Sequence, residues 1–151
     1  MASTKAVRLA PMGGEMPAEP FLTASLNPEP DSTAPDGTAI RLLPRTEAGS
    51  MAHGTLPPGT VSRAIRHATV DEIWFVLAGA AEMWRMNEVA QSTVTIAAND
   101  SITIPVGTNF QFRTVGDEPF VFVMATMPPW SDASEAEFVT GRWQATNGDH
   151  S

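Results

Sequence analysis

Cysteine is absent from this chain, and lysine occurs once, at Lys5. Without cysteine there are no disulfides and no thiolate metal sites, so a bound metal would have to be held by histidine, carboxylate or water. With one lysine, scattered arginines and a formal net charge of −8, no basic stripe exists to collect phosphates, and nucleic acid is not an expected partner. The acidity also disfavours anionic ligands unless Arg63, Arg66, Arg85 or Arg113 makes a local positive patch, the plainer reading of each being a solvated surface charge. Long apolar runs are missing too: none approaches the roughly 20 residues that span a bilayer. The amino-terminal stretch has no apolar block of the kind a secretory signal carries, because Val7 and Leu9 stand alone and Pro11, Pro17 and Pro20 break up the residues after them. A membrane is therefore not an expected partner, and the cytoplasm is the expected location. Glycine-rich phosphate loops, dinucleotide fingerprints and serine nucleophile elbows are likewise lacking.

What remains is the composition of one globular domain, 151 residues with 42% hydrophobic and 17% charged. Residues 1–37, rich in proline, alanine and small polar residues, read as an extended amino-terminal arm without its own core. Phe21, Leu22 and Leu26 are its candidate anchors. The arm is expected either to trail loosely or to cover a sheet edge or a second subunit. After the Asp36-Gly37 turn, short apolar segments are split by turn residues: Thr38–Leu43, Met51–Leu56, Val61–Ile65, Glu72–Leu77, Ala81–Met86, Ser92–Ala97, Ser101–Ile104, Asn109–Val115 and Phe120–Met127. The pattern is all-β, suited to a closed double-sheet barrel over residues 38–130. Residues 131–151 form a tail with one expected short helix, Asp132–Phe138, where Asp132 and Glu135 are spaced as a capping box.

The most specific run is Gly59 to Gly79, GTVSRAIRHATVDEIWFVLAG. Gly59, His67, Glu72 and Gly79 fit the pattern G-x5-H-x-H-x4-E-x6-G in register, with Ile65 at the place of the first histidine. Downstream, Pro105 and Gly107 fit G-x5-P-x-G-x2-H-x3-N, with Asn99 at the first glycine, Phe110 at the histidine and Thr114 at the asparagine. Asn99 can supply the positive φ of the glycine it replaces. These two motifs resemble those of the cupin family, in the form of a small single-domain member with a degraded metal site. The resemblance implies a double-stranded β-helix, or jelly-roll, barrel with the His67 and Glu72 side chains inside. Homodimers are common among such proteins.

Imidazole and carboxylate suit divalent iron, manganese, nickel, zinc or copper. An ion held by His67 and Glu72 alone needs water or another side chain to complete its shell, so weak metal binding and no metal binding are both open. His53 is the only other histidine before the tail and could join them if its strand register turns it inward. Glu82 would do so only if its strand presents even-numbered residues inward, and Gln111 has the wrong parity. Alternatively, His67 and Glu72 are a polar pair bonded to each other or to water, or a metal-free acid/base couple. Ile65 and Phe110 in place of imidazoles make the lumen drier and smaller, and with Trp74 and Phe112 they outline a pocket for an apolar or aromatic ligand. Ordinary core packing is the plainer reading of these four, as of Trp84 and the methionines.

Three functions stay in play. The first is a barrel that binds a small organic ligand with weak or no metal, in a regulatory role. The second is a mononuclear metal enzyme, dioxygenase- or isomerase-like, with a reduced ligand set. The third is a metal-free acid/base enzyme using His67 and Glu72. Outward-facing Ile73, Phe75 and Leu77 would leave an apolar strip that a second copy or the arm must cover. Trp130 and Trp143 are expected to close a barrel end or pack on a neighbouring arm.

Overall fold

The computed structural model describes residues 21–146. Among these residues the strands are β1 (Ser32–Thr33), β2 (Ala39–Arg45), β3 (Ser50–Leu56), β4 (Ile65–His67), β5 (Asp71–Ala78), β6 (Ala80–Met86), β7 (Gln91–Ala97), β8 (Ser101–Ile104), β9 (Asn109–Val115), β10 (Phe120–Met127) and β11 (Ala136–Phe138). One sheet runs β1-β2-β3-β10-β5-β8 and the other β11-β4-β9-β6-β7. The chain crosses repeatedly between them, and all strand pairs are antiparallel. This is a jelly-roll barrel, as the apolar segments and turn residues lead one to expect.

Period-2 alternation decides which side chains face the lumen. In β5, Glu72, Trp74 and Val76 are buried while Asp71, Ile73, Phe75 and Leu77 are exposed. In β9 and β10, Phe110, Phe112, Phe120 and Phe122 turn inward and are almost wholly buried. They meet Trp74, which stacks on Phe122 at 4.0 Å and 16° and stands edge-on to Phe112 at 5.0 Å. Leu56, Met83, Ile96 and Ile104 complete the core. Gly79 turns β5 into β6 at φ 75°; a Cβ there would strike the Pro119 carbonyl, so both conformation and space require glycine. Asn99 adopts φ 79°, the left-handed value its replacement of glycine calls for.

Two expected elements differ. Val61–Ile65 is not a continuous strand: Val61 makes one isolated bridge to Arg113, and the ladder begins at Ile65. The intervening amides are divided between partners, Ser62 N–H donating to the Phe112 carbonyl and Arg63 N–H to that of Asp36. The expected helix over 132–138 is a single 3-10 turn, Ala133–Glu135, followed by β11, which pairs with β4. Asp132 does cap, accepting from the Ser134 amide at 2.9 Å. Glu135 does not reach back to complete the box. Its buried carboxylate instead accepts from the amide of Thr69, the Thr69 hydroxyl and, at 3.0 Å, the Val70 amide.

The tail thereby lies against the smaller sheet. Gln111, buried on the outer side of β9, donates to the carbonyls of Ser62 and Trp143 and accepts from the amides of Arg142 and Trp143. Trp143 lies under the Arg113 guanidinium, 4.3 Å from its ring centre, rather than at a barrel end. Trp84 is also buried on this outer side, cross-strand from Gln111, and so does not line the lumen. At the other end of the described chain, residues 21–30 form no strand; the segment is tied to β2 by Arg41, which donates to the Asn27 and Pro28 carbonyls at 2.8 and 2.7 Å. Most of the expected arm, residues 1–20, lies outside the described residues.

Candidate functional site

His67 closes β4 and Glu72 is the second residue of β5, so a short loop carries both to one end of the barrel. That loop is the segment Glu135 holds, which explains how an exposed connection can fix two buried side chains. Each is 3% exposed, and His67 Nε2 lies 3.8 Å from Glu72 Oε2, close but beyond hydrogen-bond range. Glu72 Oε1 accepts from Trp74 Nε1 at 2.8 Å. His67 Nδ1 is buried with no partner among the described residues. The imidazole sits between two aromatic rings, Phe110 at 5.2 Å and Trp130 at 5.3 Å, both edge-on. Trp130 therefore closes this end of the barrel, its amide donating to the Ser50 hydroxyl at 3.0 Å.

Burial dominates the electrostatics. It lowers the His67 pKa to about 4, against the opposing pull of the Glu135 carboxylate. It raises that of Glu72 to about 8, the Trp74 hydrogen bond opposing and the Asp36 charge adding to the rise. At neutral pH the pair is thus an unprotonated imidazole beside a protonated carboxyl group, two neutral polar groups in an apolar setting.

Ile65 and Phe110 are cross-strand partners in the β4–β9 ladder, and both are buried. The two apolar residues at the motif's histidine places thus meet each other beside His67. Trp74 and Phe112 belong to the same packed cluster, Trp74 standing 6.0 Å from Phe110. His53 does not join them. Its neighbours Gly54 and Leu56 face inward with Phe122 and Phe120, so odd-numbered β3 residues face out, and His53 lies on the outer surface of the larger sheet between Arg41 and Val123. Glu82 is also outward and bonds Arg113 at 2.7 Å. Among the described residues no group of three or more His, Cys, Asp or Glu gathers in a metal-binding arrangement. His67 and the free oxygen of Glu72 fall short of the about four to six ligands a transition ion takes, so the residues present do not make a complete metal site.

Two features had no sequence signal. Glu135 acts on this site across 65 residues of separation to Val70. An open groove of about 890 Å³ lies beside the closed end, walled by Phe21, Leu22, the turn at 44–47, Met51 and Met127. Ser50 and Thr126 also line it, their hydroxyls 2.5 Å apart. Thr126 is the cross-strand neighbour of Glu72, which brings the groove to within one side chain of the pair.

Comparison with known proteins agrees with this architecture. The cupin domain family matches residues 52–126. An uncharacterized protein of Methanocaldococcus jannaschii is 30% identical over 101 residues, 64% of this chain and 78% of that protein. Among solved structures, the formate complex of Lactobacillus farciminis oxalate decarboxylase superposes with a TM-score of 0.61 at 20% identity, covering 74% of this chain and 33% of that one. A double-stranded β-helix protein of Klebsiella pneumoniae gives 0.53 at 22%, covering 60% and 76%. The chain spans only about a third of the oxalate decarboxylase, and at such identity the likeness is one of fold. No helix among the described residues is long and apolar enough to cross a membrane. Motif spacing, the crossed sheets, the inward His67 and Glu72 and the matching family model together place the chain in the cupin family.

Proposed function

We propose that this barrel binds a small organic ligand at the end marked by His67, Glu72 and Trp130, without depending on a metal ion. The observation that carries the reading is the pair itself: two buried polar side chains in a ring of aromatics, with His67 Nδ1 buried and without a hydrogen-bond partner among the described residues and Glu72 Oε2 3.8 Å from His67 Nε2. Buried polar groups are rarely left so, and a guest bearing a hydrogen-bonding group would complete the imidazole. The packed rings of Trp74, Phe110 and Phe112 leave the deeper lumen to side chains, so the ligand's body is assigned to the Trp130 end and the adjoining groove. The test is tryptophan fluorescence during titration with benzoic acid, benzamide and benzyl alcohol, with and without chelator. Saturable binding that survives chelator and is lost in His67→Ala and Glu72→Ala supports the reading; binding that chelator abolishes would replace it with a metal-led one.

A second reading, metal-free acid/base catalysis, is favoured by one observation. A carboxyl group that holds its proton at neutral pH beside an imidazole that does not is a ready donor and acceptor. It predicts turnover that persists in chelator and vanishes in Glu72→Gln. We also propose that the protein works as a homodimer, because the larger sheet leaves Ile73, Phe75 and Leu77 between 41% and 48% exposed on its outer face.

A further inference from the structure

Arg85 is not the solvated surface charge that its place in the sequence suggests. It stands on the inner side of β6, in the parity of buried Ala81 and Met83, with Phe110 and Ser92 as its cross-strand partners. Its guanidinium crosses the gap between the two sheets, where β7 and β8 are the edge strands, and donates from Nη1 to the Thr103 carbonyl at 2.7 Å. Arg85 Nε is buried and has no hydrogen-bond partner among the described residues. No carboxylate among them forms an ion pair with it, and burial lowers its pKa with no neighbouring charge contributing.

Two other arginines show how this chain satisfies such a group. Arg66 turns its Nε and Nη2 edge to Glu137 at 2.9 and 2.7 Å, and Arg113 Nε donates to Glu82 at 2.7 Å. A carboxylate suits that edge because its two oxygens match two parallel N–H groups. In Arg85, whose Nη1 is taken by Thr103, Nε and Nη2 form the corresponding edge. The wall is open beside it: Val94, the cross-strand partner of fully buried Met83, is 36% exposed, and Ser92, directly across from Arg85, is exposed as well. The seam between β7 and β8 thus admits a small solute to the guanidinium, with the Ser92 hydroxyl on the same face and Val94 to meet an apolar body. One half-buried positive charge in a chain of net charge −8 favours a monoanion over a dianion, whose second charge nothing there would balance.

We propose that the β7–β8 seam binds a small aliphatic monocarboxylate, its carboxylate held by Nε and Nη2 of Arg85 and by the Ser92 hydroxyl, its carbon chain against Val94. Strand β9, with Phe110, separates Arg85 on β6 from His67 on β4, so the site is independent of the reading of the His67–Trp130 end.

Two-dimensional proton–nitrogen spectra of the arginine Nε groups test this, with the full chain at neutral pH and constant ionic strength titrated with butyrate, butyramide or inorganic phosphate. The Arg85 resonance is identified as the one missing in Arg85→Lys, with Arg85→Gln in its place should that variant fold poorly. It is expected to move downfield saturably with butyrate, to stay still with butyramide, and to respond to phosphate with an affinity at least about tenfold lower. Ser92→Asp, at an exposed position, sets a carboxylate across from the guanidinium. Its Arg85 resonance is expected at the butyrate-bound position before any addition, with butyrate affinity reduced at least about tenfold. The site is overturned by an Arg85 resonance that does not move with butyrate, by an equal response to butyramide, or by unchanged butyrate binding in Ser92→Asp. Equal affinity for phosphate, the behaviour of an adventitious ion only, overturns it as well.

Discussion

His67 and Glu72 pay for their burial with their charges, and the consequence is measurable as a pH dependence of stability. Glu72 in the native state keeps its proton up to about pH 8, whereas the unfolded group releases it near 4.5, so native stability from this residue falls as pH rises through that window. His67 acts the opposite way: native imidazole stays unprotonated down to about pH 4 while the unfolded one takes a proton near 6.5, so stability from His67 falls as pH drops through that range. Between roughly 4.5 and 6.5 the two slopes largely cancel. From about 6.5 to 8 the Glu72 slope stands alone, and at about 1.4 kcal/mol per pH unit it removes about 2 kcal/mol. Urea unfolding at pH 6.5 and 8 should show this loss in wild type and not in Glu72→Gln. Equal losses in both would mean that Glu72 is ionised in the native protein.

At the scale of elements, the tail is held by the β11–β4 ladder and by two buried side chains, each of which can be cut separately. Gln111→Leu keeps the volume of the side chain but strands two carbonyls and two amides, a loss of about 2–4 kcal/mol. Hydrogen exchange at the Arg142 and Trp143 amides should accelerate strongly; continued protection there would show that the tail docks by other contacts. Glu135→Ala strips the acceptor from Thr69 and Val70 and should cost a similar amount while loosening the His67–Glu72 loop, seen as a shift in the His67 imidazole resonances. Unmoved resonances would separate Glu135 from the site.

These elements also mark where the sequence was legible. The alternation of β8 and the turn residues Gly79, Asn99 and Gly107 carry their structure locally, and the motif position of Glu72 set the faces of β5, so these could be read directly. Residues 61–64 could not be, because their amides are shared between β9 and the Asp36 turn, a non-local arrangement that the apolar residues Val61 and Ile65 do not encode. The tail misled for the same reason: Asp132 and Glu135 have capping-box spacing, but Glu135 is claimed by a loop distant in sequence. Gln111 had the wrong parity for the lumen, and that very parity is what lets it grip the tail.

For the whole molecule, the cupin motifs located His67, Glu72, Ile65 and Phe110 at the same end of one barrel, which is where they lie. What spacing alone could not supply was the position of His53, set by the register of β3, and the groove beside Thr126, which needs the amino-terminal segment and the β2–β3 turn together. The central claim is that two of the barrel's chelating places have become apolar side chains packed against the remaining two, so that binding here does not begin with a metal. Metal affinity, measured by competition of zinc and manganese against a chelating dye in wild type and in the double variant Ile65→His/Phe110→His, tests it most directly. The account predicts weak wild-type binding and a gain of at least about a hundredfold in the variant; tight binding by the wild type, or no gain in a folded variant, would contradict it.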